Sequence, residues 1–132
     1  MTAYYHNIFE VSAQGSALDL PTGNDVQTVG YFPRAVRIVD VFAFVAEEIK
    51  CATTQAVVDI GTSSDPDAFV DGYEPSDNAA IDTYDVVPSA KIVERSIPAG
   101  TTVIAKVVTA GAEGGSETGQ LVVILRVVPD SE

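Results

Sequence analysis

Carboxylates dominate the side chains of this sequence that could do chemistry, and four of them crowd one stretch. Asp65, Asp67, Asp71 and Glu74 follow the β-branched run Val57-Val58-Asp59-Ile60, so a core strand empties into an acidic connection over residues 57–72. Hard oxygen ligands clustered in a loop are what Ca²⁺ requires, which makes Asp65, Asp67 and Asp71 a candidate calcium set. Their spacing departs from the EF-hand loop. Counted from Asp65, Gly72 stands eighth where that loop has its glycine sixth, and Ser76 stands twelfth where a glutamate closes the site. Turn chemistry accounts for the same residues: Asp65 and Asp67 flank Pro66, and Asp71-Gly72 forms a second turn. Turn formation is the stronger reading, and no metal is assigned.

The other reactive groups carry less. His6 is the only histidine, so a nucleophile elsewhere has one base to draw on, and that base lies on an alternating strand near the start. Glycoside hydrolysis needs two carboxyls held a few ångströms apart with one pKa raised, and nothing singles out such a pair. Cys51 is the only cysteine, which excludes an internal disulfide and a cysteine-based zinc site. The glycine-rich run at residues 111–116 lacks the lysine and following helix of a phosphate loop, and Glu113 would repel a phosphate. The expectation is a protein that is not an enzyme and holds no cofactor.

Seven basic residues against nineteen acidic ones give a formal charge of −12, which repels nucleic acid and anionic lipid. Neither a direct nucleic-acid partner nor a membrane is expected. No apolar run approaches the roughly 18 residues of a membrane-spanning helix. The start Met-Thr-Ala-Tyr-Tyr-His-Asn lacks the basic flank and apolar stretch of a signal peptide, so a soluble protein is expected.

The elements that must position these groups are strands. Alternation with period two marks residues 4–11, 17–20, 25–29, 34–46, 53–60, 101–109 and 120–128, with short pieces at Val86-Val87 and Ile92-Val93. In the first, Tyr5, Asn7, Phe9 and Val11 form the better core face. Between Asp59 and Asp85 eight acidic residues occur with no Lys or Arg, which predicts one long acidic loop pinned by Ala68, Phe69 and Val70. Residues 78–82 could form one helical turn within it. Residues 110–118 read as a flexible hairpin tip. The 132 residues make one domain: residues 1–32 as an N-terminal arm plus edge strands, residues 33–128 as the sandwich body, residues 129–132 as a polar tail. The fold class is all-β, a single antiparallel β-sandwich with a jelly roll as the leading arrangement.

Residues 34–46 are apolar on both faces, with Val36, Ile38, Phe42 and Phe44 on one and Val39, Val41, Ala43 and Val45 on the other. One face meets the core. The other needs cover from this chain or from a second subunit.

Three stretches together resemble small β-sandwich proteins of tailed bacteriophages, the head decoration or cement proteins and related head-fibre domains. They are Val-Asp-Ile-Gly-Thr-Ser-Ser-Asp-Pro-Asp-Ala-Phe-Val at residues 58–70, Ile-Pro-Ala-Gly-Thr-Thr-Val at residues 97–103, and Gly-Gln-Leu-Val-Val-Ile-Leu at residues 119–125. The resemblance spans residues 34–128. It implies a jelly-roll-like homotrimer, made in the host cytoplasm, that sits on the outer capsid surface of the virion and ties neighbouring major capsid protein subunits together. It supplies no catalytic residues. Under it, Tyr4, Tyr5 and Phe9 are candidate capsid contacts of the arm, because aromatics anchor interfaces; Phe42, Phe44 and Phe69 are candidate capsid or subunit contacts of the body. The alternative is a head-fibre or surface carbohydrate-binding module, for which Tyr31, Phe32, Tyr73 and Tyr84 would supply stacking rings in the absence of Trp.

Overall fold

The computed structural model describes residues 11–130. Its strands are β1 (Val11–Gln14), β2 (Leu18–Asp19), β3 (Val26–Phe32), β4 (Val36–Lys50), β5 (Val57–Gly61), β6 (Val70–Tyr73), β7 (Tyr84–Val86), β8 (Ser96–Ile97), β9 (Thr101–Thr109) and β10 (Thr118–Pro129). Among the described residues the helical content is one short 3-10 turn, Ser89–Lys91, and no helix is long and apolar enough to cross a membrane.

Alternation explains the strands. Along β10, Leu121, Val123, Leu125 and Val127 are buried, while Val122, Ile124, Arg126 and Val128 are only half-buried on the other face. Along β9, Val103, Ala105 and Val107 point into the same core.

The strand partners nest. β1 pairs with β10, β3 with β9, β4 with β7 and β5 with β6, all antiparallel. This ribbon rolls up so that β10 also pairs with β4 and β9 with β5. The two sheets then have the orders β1-β10-β4-β7 and β3-β9-β5-β6, with β2 added on β10 and β8 on β4. Such a double Greek-key wrap is a jelly roll. The all-β antiparallel sandwich expected from the sequence is therefore the observed fold.

Between the sheets lies a core that includes Leu18, Leu20, Ile38, Val41, Val45, Ile49, Val58, Ile60, Leu121 and Leu125, each at most 1% exposed. The sheets are also joined at one pair of edges. Tyr73 of β6 donates its hydroxyl to Asp85 Oδ2 of β7 at 2.6 Å. Burial, and then the Asp85 carboxylate, push the Tyr73 phenol far above its ordinary range, so it stays a donor.

Several expectations are corrected. In β4, Ile38 is buried with Val41, Ala43 and Val45 and does not share a face with Phe42 and Phe44. The register slips between the pairs Arg126–Asp40 and Val127–Ile38, and this bulge at Val39–Asp40 switches the alternation. The acidic stretch is not one loop, because β6 lies inside it and β7 begins within it. Its expected helical turn is absent: Asn78 and Asp82 take φ of 65°, and their N–H groups donate to the carbonyls of Ile49 and Val45, each at 2.8 Å. Residues 110–117 are not a hairpin tip, since β9 and β10 belong to different sheets and the segment crosses between them. Glu117 organises it by accepting from the N–H groups of Glu113 and Gly115 at 2.9 and 3.0 Å. Val11, assigned to a core face, is 48% exposed.

A candidate interaction face on the six-stranded sheet

The two outer faces of the sandwich differ in chemistry. On the six-stranded sheet, cross-strand register brings two apolar rows together: Ile124, Phe42 and Val86 in one, Val122, Phe44 and Tyr84 in the other. Each row draws one residue from β10, β4 and β7, and the alternating residues of β10 and β4 on the inner face are core residues. The rings of Phe44 and Tyr84 meet at a centroid distance of 4.9 Å, tilted by 53°. Tyr84 and Val86 remain 66% and 53% exposed, so the β7 end of both rows is open to a partner.

The neighbouring row of the same face, one step along β4 and β10, is charged. The Arg126 guanidinium lies 5.6 Å from the centre of the Phe42 ring and pairs with Asp40 across the strands at 3.1 Å. Both charged side chains are more than a third exposed, so this ion pair is worth at most about 1 kcal/mol. Its use is geometric: it fixes a cation above Phe42 beside the apolar rows.

The outer face of the four-stranded sheet carries an acidic cluster on its β5–β6 side. Carboxylate oxygens of Asp59, Asp67 and Asp71 all lie within 4.8 Å of one another. Of the sequence's calcium set, Asp67 and Asp71 are brought together. Asp59 takes the third place and Asp65 is not part of the group. Asp59 is 8% exposed and is already engaged, accepting from the Gly72 N–H at 2.8 Å. Lys106 stands opposite it in β9. Burial raises the Asp59 carboxyl above the ordinary range; Asp71 and Asp67 add to the rise, while the Gly72 bond and Lys106 oppose it. The Gly72 contact has a local cause. Two steps along β5, from Val58 to Ile60, face three along β6, from Tyr73 to Val70, and Gly72 absorbs the extra residue at φ 79°. Its displaced N–H is then met by the Asp59 side chain.

Phe42 and Phe44 thus share one outer face, as the sequence proposes. Phe69 does not: it is 4% exposed and packs in the core, with its N–H donating to Ile60 and its carbonyl accepting from Val93, each at 2.9 Å. It holds the acidic segment to the body. Tyr4, Tyr5, Phe9 and His6 lie outside the described residues. Sequence reasoning missed Val122, Ile124 and Val86 as members of the face, although the second face of residues 120–128 and the alternation Tyr84-Asp85-Val86 both signal it. The rings offered for sugar stacking do not form a platform. Phe32 and Tyr73 are buried, and exposed Tyr31 and Tyr84 stand on edge strands of different sheets.

Cys51 is buried, and its thiol pKa is raised by burial and by Asp77, Glu113 and Glu117. It is a packing residue. No ordinary catalytic constellation is found among the described residues.

No protein-family model matches the chain, and no curated protein matches it. Solved structures do. The chain is similar to one in the cyanophage Pam1 capsid asymmetric unit, with a TM-score of 0.60 and 15% identity over 93% of this chain and 86% of that one. A second similar chain belongs to the acidic stable capsid structure of Helicobacter pylori bacteriophage KHP30, with a TM-score of 0.61 and 17% identity over 96% of this chain and 91% of that one. A third belongs to the capsid of Ralstonia phage GP4, with a TM-score of 0.59 and 14% identity over 95% of this chain and 86% of that one. At such identities the likeness is one of fold: this jelly roll is shared, nearly end to end, with chains from three bacteriophage capsid structures.

Proposed function

We propose that this protein is a structural component of a tailed-bacteriophage virion, a decoration or cement protein that binds the outside of the assembled head. The observation that carries the reading is the shared fold, which extends over 93 to 96% of this chain in three phage capsid structures. The paired apolar rows support it, because a face of this kind on a sheet whose other side is already core suits burial against a second subunit. In this reading the protein is a homotrimer whose partners are its own copies and the major capsid protein. Binding only the assembled lattice, it stabilises that lattice by mass action. The charge of −12 keeps the unbound protein soluble before it docks.

The test joins two measurements on the purified full chain. Light scattering is expected to give the mass of three copies, and sedimentation with empty mature capsids is expected to show saturable binding. A monomer that ignores capsids overturns the proposal.

A further inference from the structure

Strand β7 ends its sheet, and only half of its backbone is engaged. Where it meets β4, the Val45 N–H donates to the Thr83 carbonyl and the Val87 N–H to the Val41 carbonyl, each at 2.9 Å. Antiparallel ladders alternate hydrogen-bonded and open pairs, so between these two bonds Asp85 turns both of its backbone groups to Ala43. Tyr84 and Val86 therefore point their N–H and C=O groups away from β4. Among the described residues nothing pairs with these four groups. Beside them, at the β6 and β7 edges, lies a groove of about 310 Å³ with Tyr73, Glu74, Asp85, Val86 and Lys91 among its lining residues. An open edge that also exposes the apolar side chains of Tyr84 and Val86 is a template for strand addition.

We propose that the β7 edge takes an extended strand from a partner protein, apolar at two positions and basic at the one between them. Register sets that chemistry. Residues of the added strand opposite Tyr84 and Val86 fall on the outer face and lengthen the two apolar rows by one member each. The residue between them falls on the other side, alongside Asp85, with Glu74 in the same groove. From Asp59 to Asp85 this chain carries eight carboxylates and no Lys or Arg, so a cation is the complement there. Lys91 is the one cation among the described lining residues, and it is directed to β6: its Nζ would lie 3.7 Å from a Cβ on Gly72. A second copy is the poorer occupant. The β7-to-β7 register that pairs all four groups sets two Asp85 residues directly opposite each other, about 4.5 Å apart at Cα. It would also join two chains of charge −12. The inference concerns this edge alone and does not depend on a role in a virion.

The probe is the peptide acetyl-Ser-Thr-Val-Lys-Val-Thr-Ser-amide, titrated into the isotopically labelled full chain and followed by NMR. The amide signals of Tyr84 and Val86 are expected to move downfield saturably and to exchange more slowly with solvent. Replacing the lysine of the probe by glutamate is expected to weaken binding several-fold. N-methylation at both valines removes the donors that face Tyr84 and Val86 and should abolish binding. N-methylation at the lysine, whose N–H points away from the edge, should leave it intact. Unmoved Tyr84 and Val86 signals at millimolar probe overturn the proposal. Equal binding of the glutamate probe also overturns it, as does binding that survives N-methylation at the valines, since the partner is then not basic or not paired as a strand. Through-space contacts between Tyr84 of one copy and Val86 of another, without probe, overturn it too, because a second copy then fills the edge.

Discussion

Tyr73 and Asp85 close one side of the sandwich: a 2.6 Å hydrogen bond from a buried phenol to a carboxylate ties the edge strand β6 of one sheet to the edge strand β7 of the other. Tyr73→Phe keeps the ring and removes this bond. A bond to a charged acceptor contributes more than a neutral one, but half-buried Asp85 can turn to water, so the expected loss is about 1–2 kcal/mol in a denaturant melt. An unchanged midpoint would mean that packing alone closes this side.

Phe69 and Asp67 lie two residues apart and should behave in opposite ways. Phe69→Ala empties a core site and is expected to cost about 3–5 kcal/mol. It should also weaken assembly by loosening the acidic segment. Asp67→Ala relieves repulsion among three clustered carboxylates and is expected to leave stability unchanged or slightly raised. Thermal melts of both variants decide the order. Since Asp59 already accepts from Gly72 and faces Lys106, added Ca²⁺ is expected to leave the parent melting temperature where it was.

Asp59 gives a pH dependence whose sign is fixed. Its carboxyl is raised in the folded chain, chiefly by burial, so ionisation costs folded stability. The cost is absent below the unfolded value of about 3.9, grows as pH rises towards the folded value, and is constant above that. Asp59→Asn removes the charge and keeps an oxygen to accept from Gly72. The variant is expected to melt above the parent at neutral pH, with the difference shrinking as the pH falls into the carboxylate range. A parent that is the more stable at neutral pH contradicts this.

Assembly should be sensitive to the apolar rows. Phe44→Glu places a charge between Val122 and Tyr84 on the outer face, where folding tolerates it better than a tightly packed interface does. The expected result is a folded monomer by light scattering with greatly reduced capsid binding. Thr102→Glu, on an exposed site of the other sheet, is expected to leave both unchanged. Equal behaviour of the two variants would remove the six-stranded face from the interface.

Gly111 tests the crossover. A Cβ there would stand 2.2 Å from Cys51 Sγ and 2.9 Å from its Cβ. Gly111→Ala is therefore expected to cost about 1–3 kcal/mol through overpacking. Cys51→Ala should recover part of that cost, giving a measurable coupling in a double-mutant cycle. Simple additivity would show that the strain lies in the backbone.

What the sequence made legible is the part governed by side-chain alternation. Residues 101–109 and 120–128 declare their buried faces, and the excess of short β-rich runs over helical pattern leads to the jelly roll. Backbone events left no such trace. The bulge at Val39–Asp40 adds one residue without changing composition, so Ile38 was assigned to the face of Phe42 and Phe44. The crossover at residues 110–117 has the glycines and polar residues of a hairpin tip, and only the placement of β9 and β10 in different sheets tells them apart. Strand β6 was hidden because Asp71 and Gly72, which interrupt its apolar pattern, are also turn formers. Within the candidate face, Phe42 and Phe44 stood out as large side chains on an apolar strand, whereas Val86 and Ile124 join them only through a register fixed by tertiary pairing.

The interior position of β10 sets an order of events during synthesis. It separates β1 from β4 in the six-stranded sheet, yet it is the last strand in the described chain. While the ribosome is still making it, β4 has no neighbour on that side, and the 15 residues of this strand expose apolar side chains on both faces together with unpaired backbone groups. Closure of that sheet must wait until β10 has left the ribosome, as expected of a topology built on distant pairings. A chain stalled short of β10 would carry an adhesive strand and be a substrate for chaperones or for aggregation.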